Sequence, residues 1–343
     1  MERRAARATG VPLRRAQHSR RARLAGTSTA SDNGPMKNPP TLHGQPPIVI
    51  AHRGASGHRP EHTREAYQLA LAMGADAVEP DVVMTGDGAL VIRHDRYLST
   101  STDVADHPEF AGRRTLKEGR VVPDWYVEDF TLAEIRTLRA RQPFPGRSRE
   151  WDGRSPILTL EELLALLREA EAARGAPIGF HPEIKHPDYL LSIGLDMLPP
   201  LLQTLRSFGY DGGRTSLFVQ SFDHTFLQRL RPLTDMRLTQ LLEDRDGQPH
   251  VPLAAAASVA AAVGPQKSLL LDPKTRASTG LLEEAHAFGM QVHPWTFRDD
   301  MVGPGFADVR QELEAYFALG VDGVFADFPD TALAVRAAFL AQR

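Results

Sequence analysis

Short apolar runs that end in polar residues alternate with helical patterns from residue 47 to the end of the chain. The first run, 48–51, ends abruptly in His52, Arg53 and Gly54, as a buried parallel strand does at the carboxyl edge of a sheet. By the same pattern we predict further strands at 77–82, 90–95, 178–185, 216–221, 238–242, 269–272, 291–296 and 321–325. The predicted helices cover 65–73, 159–173, 190–208, 223–230, 253–263, 279–288, 308–319 and 330–341.

About eight of these strands feed a helix, which is the number that closes a parallel (β/α)8 barrel, the TIM barrel. Polar residues end nearly every strand, and this favours closure because a TIM barrel gathers its active site from many strands at one face. These residues are His52, Glu79 with Asp81, Glu183 with Lys185, Gln220, Asp272, Trp295 and Asp327. We therefore predict an α/β fold with a TIM barrel, and an open doubly wound sheet is the alternative.

Residues 97–155 interrupt this alternation of strands and helices. The segment is polar, is rich in Gly, Pro, Asp and Arg, and contains one short helical pattern at 132–138. Loops of this length in a compact domain are commonly functional. We predict an insertion subdomain of about 60 residues over the site, placed after the second strand region of a barrel that covers 46–343.

Composition narrows the class of protein. The 343 residues are 42% hydrophobic and 24% charged, and no run approaches the 18 apolar residues of a membrane span, so we expect a soluble globular protein. The sequence contains no cysteine, which excludes disulfides, thiolate metal sites and cysteine nucleophiles. Carboxylate, histidine and hydroxyl chemistry remain.

The net charge of -3 is unevenly divided along the chain. Residues 1–45 hold nine basic residues against two acidic ones, so the rest of the chain is acidic and lacks the basic face that nucleic-acid binding requires. Paired arginines in 1–45 have no apolar segment behind them, so no secretory or twin-arginine signal is complete. We expect a disordered head or a start assigned upstream of Met36, with organellar targeting or a divergent export signal as alternatives.

Two carboxylates lie on one face of the second predicted strand. Glu79 and Asp81 are two residues apart, so strand alternation places both side chains on the same side, and Glu183 ends the later strand 178–185 in a similar way. Together these residues could supply the hard oxygen ligands that Ca²⁺ or Mg²⁺ prefers. The alternative is that each carboxylate pairs with a nearby Arg or Lys.

His52 and His94 both follow apolar runs, and an imidazole titrates near neutral pH, so they are candidates for an acid and a base. A single histidine at a strand end is more often a hydrogen-bonded structural residue, but two beside a metal site favour catalysis. Arg53 and Lys185 add positive charge suited to a phosphoryl group, with a counter-ion role as the alternative. Trp295 is expected at the pocket wall, with core packing as the alternative. Weaker candidates are Asp272, His181, His293 and Asp327.

With these residues, the chain resembles the glycerophosphodiester phosphodiesterase family, in particular its longer, periplasmic-type branch. The resemblance runs from about residue 48 to residue 331, with His62 at a position where many members carry Asn. The segments that carry it are 52–57 (HRGASG), 60–63 (PEHT), 79–82 (EPDV), 91–95 (VIRHD), 182–185 (PEIK), 220–223 (QSFD), 293–296 (HPWT) and 325–329 (FADFP).

The resemblance implies a TIM barrel enzyme that hydrolyses glycerophosphodiesters, such as glycerophosphocholine and glycerophosphoethanolamine, to sn-glycerol 3-phosphate and an alcohol. It implies one divalent ion, Ca²⁺ in preference to Mg²⁺, and a small-molecule substrate. The implied roles are metal ligands for Glu79, Asp81 and Glu183, acid and base for His52 and His94, and substrate contacts for Arg53, Lys185, Gln220 and Trp295.

Two other functions and the location stay open at this point. A lysophospholipase D or sphingomyelinase D type of enzyme would be expected to present an apolar patch on 97–155, which is largely polar. A catalytically inactive binding barrel would not need both histidines and every metal ligand. The incomplete signal favours the cytoplasm, whereas the resemblance allows a periplasmic or secreted protein. The sequence leaves the oligomeric state unknown.

Overall fold

The computed structural model describes residues 40–117, 121–210 and 216–342. The expectation of a disordered head at 1–45 therefore falls mainly on residues 1–39, which lie outside the described residues. The helices are α1 (Arg64–Met73), α2 (Leu132–Ile135), α3 (Leu160–Arg174), α4 (Pro187–Ser192), α5 (Leu198–Ser207), α6 (His224–Leu230), α7 (Leu253–Ala257), α8 (Leu281–Ala287), α9 (Val309–Leu319) and α10 (Pro329–Ala341).

The strands form one large parallel arrangement with two small additions. They are β1 (Ile48–His52), β2 (Ala77–Glu79), β3 (Asp81–Met84), β4 (Leu90–Ile92), β5 (Gly179–Phe180), β6 (Glu183–Ile184), β7 (Phe218–Ser221), β8 (Arg237–Leu242), β9 (Asp244–Arg245), β10 (Gln248–Pro249), β11 (Ala262–Pro265), β12 (Gln291–Val292) and β13 (Gly323–Ala326). The ladder orders are β13-β1-β2-β5 and β12-β11-β8-β7-β6-β3-β4, with β9 and β10 as a separate hairpin.

Two pairs of short strands each form one stave of a barrel. Pro80 separates β2 from β3, and 181–182 separates β5 from β6, but the chain runs on in each case. Backbone bonds from His181 N to Val78 O and from Glu183 N to Pro80 O continue the pairing across both breaks, at 3.0 and 2.8 Å. The two ladders are therefore one continuous sheet.

The sheet closes between β12 and β13. Beyond the end of β12, Phe325 N donates to Pro294 O at 3.1 Å and Phe297 N donates to Phe325 O at 2.8 Å, while β13 pairs with β1 in parallel. Eight parallel staves thus surround the core, as the TIM barrel prediction requires. β4 is an extra strand that pairs antiparallel with β3.

Local signals place the first helices where the sequence predicts them. Thr63 accepts a hydrogen bond from Ala66 N at the start of α1, and Gly74 ends that helix with a left-handed φ of 93°. At the start of α3, Thr159 and Glu162 form a reciprocal capping box. None of the described helices combines the length and apolar character needed to cross a bilayer.

Three predicted elements are wrong. The predicted helix 253–263 begins as the short α7 but ends at Ala257, and the chain continues into strand β11, where parallel pairing with β8 overrides the local preference of alanine for a helix. The predicted strand 269–272 is instead the end of a 3-10 turn and a loop, where Asp272 accepts backbone bonds from 274 and 275. The predicted helix 190–208 is split into α4 and α5, with Gly194 at φ 88° between them.

The segment 97–155 packs on the outside of β3 and β4. It contains 3-10 turns, α2 and an apolar cluster in which Trp125, Phe110 and Phe130 pack beside Val83 and Val91. Its assignment as a separate subdomain stays a prediction.

Candidate active site

The carboxyl ends of the barrel staves surround one cavity of about 640 Å³. Eight of the nine predicted site residues line it, and the ninth, Asp81, is buried against two of them. The eight are His52, Arg53, Glu79, His94, Glu183, Lys185, Gln220 and Trp295. The barrel therefore brings together side chains that are up to 243 residues apart in the sequence.

Three carboxylates meet at the base of this site. In the parallel pairing, Asp81 lies opposite Glu183, and Glu79 precedes Asp81 by two residues. One oxygen atom from each of Glu79, Asp81 and Glu183 can be chosen so that all three lie within 4.8 Å of one another. All three side chains are buried. The predicted convergence is therefore present in the structure.

The charges of this cluster are incompletely balanced by the protein. Glu79 Oε1 and Asp81 Oδ1 are buried and have no hydrogen-bond partner among the described residues. Burial and the charges of Asp81 and Glu183 raise the pKa of Glu79 well above its ordinary value. Burial and Asp81 also raise the pKa of Glu183 to about 8, against the opposing effect of Lys185. Buried carboxylate oxygens without a hydrogen-bond partner, in a group of three, suit a divalent cation, so these residues fit one.

Asp81 contacts one histidine and two cations. His62 Nε2 lies 2.9 Å from Asp81 Oδ2, and Arg53 Nε lies 3.3 Å from the same oxygen. Although burial acts in the opposite direction, Lys185, His94, His62 and Arg53 hold the pKa of Asp81 well below its ordinary value. Asp81 is therefore ionised and available as a ligand at neutral pH.

The two predicted phosphate-binding cations are ion-paired within the site. Arg53 Nη1 donates to Glu61 Oε2 at 2.7 Å, and the Arg53 backbone N–H donates to Glu79 Oε2 at 3.0 Å. Lys185 Nζ lies 2.7 Å from Glu183 Oε1 and 3.7 Å from Asp81 Oδ1. Both cations act as counter-ions to the acids and also line the cavity, so the two roles considered for them are compatible.

His52 is oriented by a carboxylate at the end of β13. Its Nδ1 lies 2.6 Å from Asp327 Oδ1. Although burial acts in the opposite direction, His52, Arg298 and Arg147 hold the pKa of Asp327 below its ordinary value, so this carboxylate accepts the bond and Nδ1 carries the proton. Burial and the Arg53 charge lower the pKa of His52 to about 4, against the effect of Asp327. The neutral ring therefore has its lone pair on Nε2.

His94 is oriented in a similar way by its sequence neighbour. His94 Nδ1 lies 2.7 Å from Asp95 Oδ1, and Thr100 Oγ1 donates to the other oxygen of Asp95 at 3.1 Å. Burial, Arg53 and Lys185 lower the pKa of His94. Both predicted catalytic histidines thus hold Nδ1 against a carboxylate and keep Nε2 free of that bond.

A model of the glycerophosphoryl diester phosphodiesterase family matches residues 52–331. The chain belongs to this family. A glycerophosphodiester phosphodiesterase of Haemophilus influenzae is 34% identical, with 90% of this chain and 93% of that protein covered. In Arabidopsis thaliana, glycerophosphodiester phosphodiesterase GDPD6 is 31% identical, with 82% and 84% covered.

A solved structure shares the fold of this family member. An Oleispira antarctica phosphodiesterase, solved in complex with the product sn-glycerol-3-phosphate, has a TM-score of 0.59 and 22% identity, with 86% of this chain and 98% of that chain covered. The family and its curated relatives identify the chain as an enzyme, a phosphoric diester hydrolase with glycerophosphodiester phosphodiesterase activity.

Gln220 and Trp295 form part of the cavity wall of this phosphodiesterase. Gln220 is buried, and in the part of the chain that the structure describes its Oε1 has no hydrogen-bond partner. The Trp295 indole N–H donates to Gly264 O at 2.8 Å, and the ring meets Phe222 edge to face at 5.5 Å. Trp295 is therefore fixed in place with part of its surface facing the cavity.

The weaker sequence candidates divide into three groups. His181 and His293 are fully buried inside the barrel, with ring centroids 5.6 Å apart, and neither lines the cavity. Asp272 lies in the exposed loop already described, so its assignment to the site is wrong. Asp327 contacts His52 and belongs to the site.

Sequence reasoning missed the residues that hold the site together. His62, Asp95 and Glu61 contact predicted site residues directly, and Arg147 and Arg298 contact Asp327. His62 and Glu61 lie within the segment 60–63 that carries the family resemblance, so a signal was present for them. No local pattern marks Arg147, because its hydrogen-bond partners lie more than 80 residues away.

Proposed function

We propose that this enzyme hydrolyses water-soluble glycerophosphodiesters such as glycerophosphocholine and glycerophosphoethanolamine to sn-glycerol 3-phosphate and the free alcohol. The observation that carries the proposal is the single cavity in which His52, His94, Arg53 and Lys185 surround the buried acids. The Oleispira antarctica phosphodiesterase, which has a similar fold, was solved with its product sn-glycerol-3-phosphate bound. This supports the same product for the enzyme described here.

Glu79, Asp81 and Glu183 would hold one divalent ion, and we propose Ca²⁺ in preference to Mg²⁺ from the resemblance to the longer branch of the family. When bound, such an ion supplies positive charge that stabilises the phosphodiester oxygens. Glu79 Oε1 and Asp81 Oδ1 have no hydrogen-bond partner among the described residues, which supports a ligand role for these two residues.

The protein itself provides cations for the phosphodiester. Arg53 and Lys185 face the cavity, and a bound anion would share them with the acids that they now neutralise. Arg53 lowers the pKa of His52, and Arg53 and Lys185 together lower the pKa of His94. The negative charge of the same anion would oppose this effect. Binding of substrate would therefore bring the histidines closer to a pKa suited to proton transfer.

The two histidines divide the proton transfers. One accepts the proton of the attacking hydroxyl and the other donates a proton to the leaving alkoxide. If the attacking hydroxyl is water, sn-glycerol 3-phosphate forms directly. If it is the glycerol 2-hydroxyl of the substrate, a cyclic phosphodiester forms, and water then opens it to sn-glycerol 3-phosphate with the two histidines in exchanged roles. The bond from His52 Nδ1 to Asp327 and the bond from His94 Nδ1 to Asp95 orient the two rings and leave their Nε2 atoms available for proton transfer. Gln220 would donate or accept a bond at a substrate hydroxyl, and Trp295 would cover the apolar face of the bound molecule.

A coupled assay for sn-glycerol 3-phosphate release from glycerophosphocholine tests the proposal. We expect turnover that chelator abolishes and that added Ca²⁺ restores, with Mg²⁺ less effective. Full activity in chelator would refute the metal requirement. Absence of glycerol phosphate release from several head-group esters, in folded protein supplied with either ion, would refute the proposed substrates.

A further inference from the structure

Arg147 belongs to the inserted segment 97–155 but contacts Asp327, the carboxylate that orients His52. Arg147 Nη2 donates to Asp327 Oδ2 at 2.7 Å, and the other oxygen of Asp327 bonds to His52. Residues 52 and 327 end two neighbouring barrel staves, whereas residue 147 comes from the segment packed outside the barrel. Three distant parts of the chain therefore meet at one carboxylate.

The Arg147 guanidinium is held on all sides. Its Nε and Nη2 donate to the two oxygens of Asp300 at 2.7 and 3.0 Å, and its Nη1 donates to Ser56 O at 3.2 Å. Phe144 lies beneath it, with the guanidinium carbon 4.0 Å from the ring centroid. A guanidinium with this many hydrogen bonds has little freedom to move, so it fixes the orientation of the Asp327 carboxylate.

Arg147 cannot contact the substrate. Its side chain is only 2% exposed, and it does not line the cavity. Arg298, the other arginine on Asp327 Oδ2, does line the cavity, so a change there could act on the substrate directly. Arg147 therefore allows the support of His52 to be tested without disturbing substrate contacts.

We propose that Arg147 is a positioning residue for catalysis: through Asp327, the inserted segment fixes the orientation of the His52 imidazole. This inference rests on the proposed role of His52 as acid or base. Without Arg147, one oxygen of Asp327 loses a buried charged partner and the carboxylate can turn toward Arg298. The ring bonded to the other oxygen then loses its fixed direction, and a small misorientation of a proton-transferring group lowers the rate of the chemical step.

Steady-state kinetics of Arg147→Met, with glycerophosphocholine and saturating Ca²⁺, provide the first measurement. We expect kcat to fall about 10- to 100-fold, the usual range for loss of a group that orients a catalytic side chain, while KM changes by less than about twofold. Arg147→Lys should recover part of kcat, and guanidinium ion should partly restore Arg147→Ala. A variant that merely loosened the fold would show no such rescue.

A double-mutant cycle with His52→Ala separates positioning from general damage. If Arg147 acts through His52, the Arg147→Met change should have almost no further effect on kcat in the His52→Ala background. A loss of similar size in both backgrounds would overturn the proposal, as would an Arg147→Met enzyme with the wild-type kcat.

Two neighbouring variants serve as controls. Arg149→Met removes an exposed arginine of the same segment that contacts only Asp152 in the described ion pairs, and kcat should stay unchanged. Gln142→Ala removes bonds from the segment to the carbonyl oxygens of Ser56 and Arg59, so it should lower the melting temperature and leave kcat within about twofold. Loss of kcat in Gln142→Ala equal to that in Arg147→Met would refute a specific role for Arg147.

The same set distinguishes this inference from the proposed function. A wild-type enzyme without glycerol phosphate release would refute the proposed function and with it the inference. An active wild type with a strongly reduced kcat in His52→Ala and a fully active Arg147→Met would refute only the inference.

Discussion

His62 and Asp81 are joined by a 2.9 Å bond between Nε2 of the imidazole and Oδ2 of the carboxylate. The other ring nitrogen of His62 lies 2.9 Å from the hydroxyl of Tyr67, whose oxygen is 3.5 Å from Glu79 O. The backbone at His62 is left-handed, with φ 63°, a conformation that Asn adopts more readily than most residues. His62 therefore orients a proposed metal ligand from an unusual backbone position.

We predict that His62→Asn retains more activity than His62→Ala. An Asn amide can donate to Asp81 and tolerates the left-handed backbone, whereas Ala leaves Asp81 Oδ2 with one partner fewer. The Ca²⁺ concentration for half-maximal activity should rise about tenfold or more in the Ala variant and less in the Asn variant. Equal activation curves for the two variants would contradict the proposed orienting role.

The two histidines that line the cavity should both be needed for turnover. His52→Ala and His94→Ala should each lower kcat by about 10² or more, because each removes a proton-transferring group. Circular dichroism should show an unchanged fold. His107→Ala is the control, because His107 pairs with Glu109 at the surface of the inserted segment. Turnover near that of the wild type in either variant would remove that histidine from the mechanism.

Binding of Ca²⁺ should become tighter as the pH rises from about 6.5 to 8.5. Without a bound cation, burial and Asp81 raise the pKa of Glu183 to about 8, and the pKa of Glu79 is also raised, so the ion must displace protons from these acids. Calorimetry in two buffers of different ionisation enthalpy should detect the released protons. Affinity that does not change with pH, with no proton release, would show that the acids are already ionised.

Glu183→Gln offers a matched variant for this measurement. It removes the charge and keeps the shape, so Ca²⁺ affinity should fall and the pH dependence should become shallower. Asp188→Asn, a change on the cavity rim outside the acidic triad, should bind Ca²⁺ as the wild type does.

Acid should destabilise the barrel through His293. Burial lowers the pKa of this ring to about 4, and within the described ranges neither of its nitrogens has a hydrogen-bond partner. A folded-state pKa below the unfolded value of about 6.5 means that the unfolded chain binds the proton first, so stability is complete above pH 6.5 and is lost as the pH falls toward 4.

The expected loss from this one group between pH 7.5 and pH 5 is on the order of 2 kcal/mol. The free energy of unfolding can be measured with urea as a function of pH for the wild type and for His293→Gln, both in chelator. The difference between the two pH dependences is the contribution of His293. Parallel curves for the two proteins would show that His293 does not contribute, whatever the stability of either at neutral pH.

Much of the fold could be predicted because its signals are local. Thr63, Gly74 and Thr159 mark helix ends through bonds to their immediate neighbours. The prediction was wrong beyond residue 257, where pairing of β11 with β8 overrides the local preference of alanine for a helix. It was also wrong at 269–272, since an apolar run in a loop resembles a buried strand.

The sequence by itself determined most of the order of strands and helices, apart from the stretch 253–272, and the residue types at the strand ends of the site, because alternation and spacing are properties of neighbouring residues. It thereby specified the Glu79, Asp81 and Glu183 cluster, since parallel staves deliver their ends to one face. Only the tertiary structure decided how 97–155 folds back, which places Arg147 on Asp327 and Asp327 on His52. Those contacts join residues from distant segments, and their energy depends on a burial that no local pattern specifies.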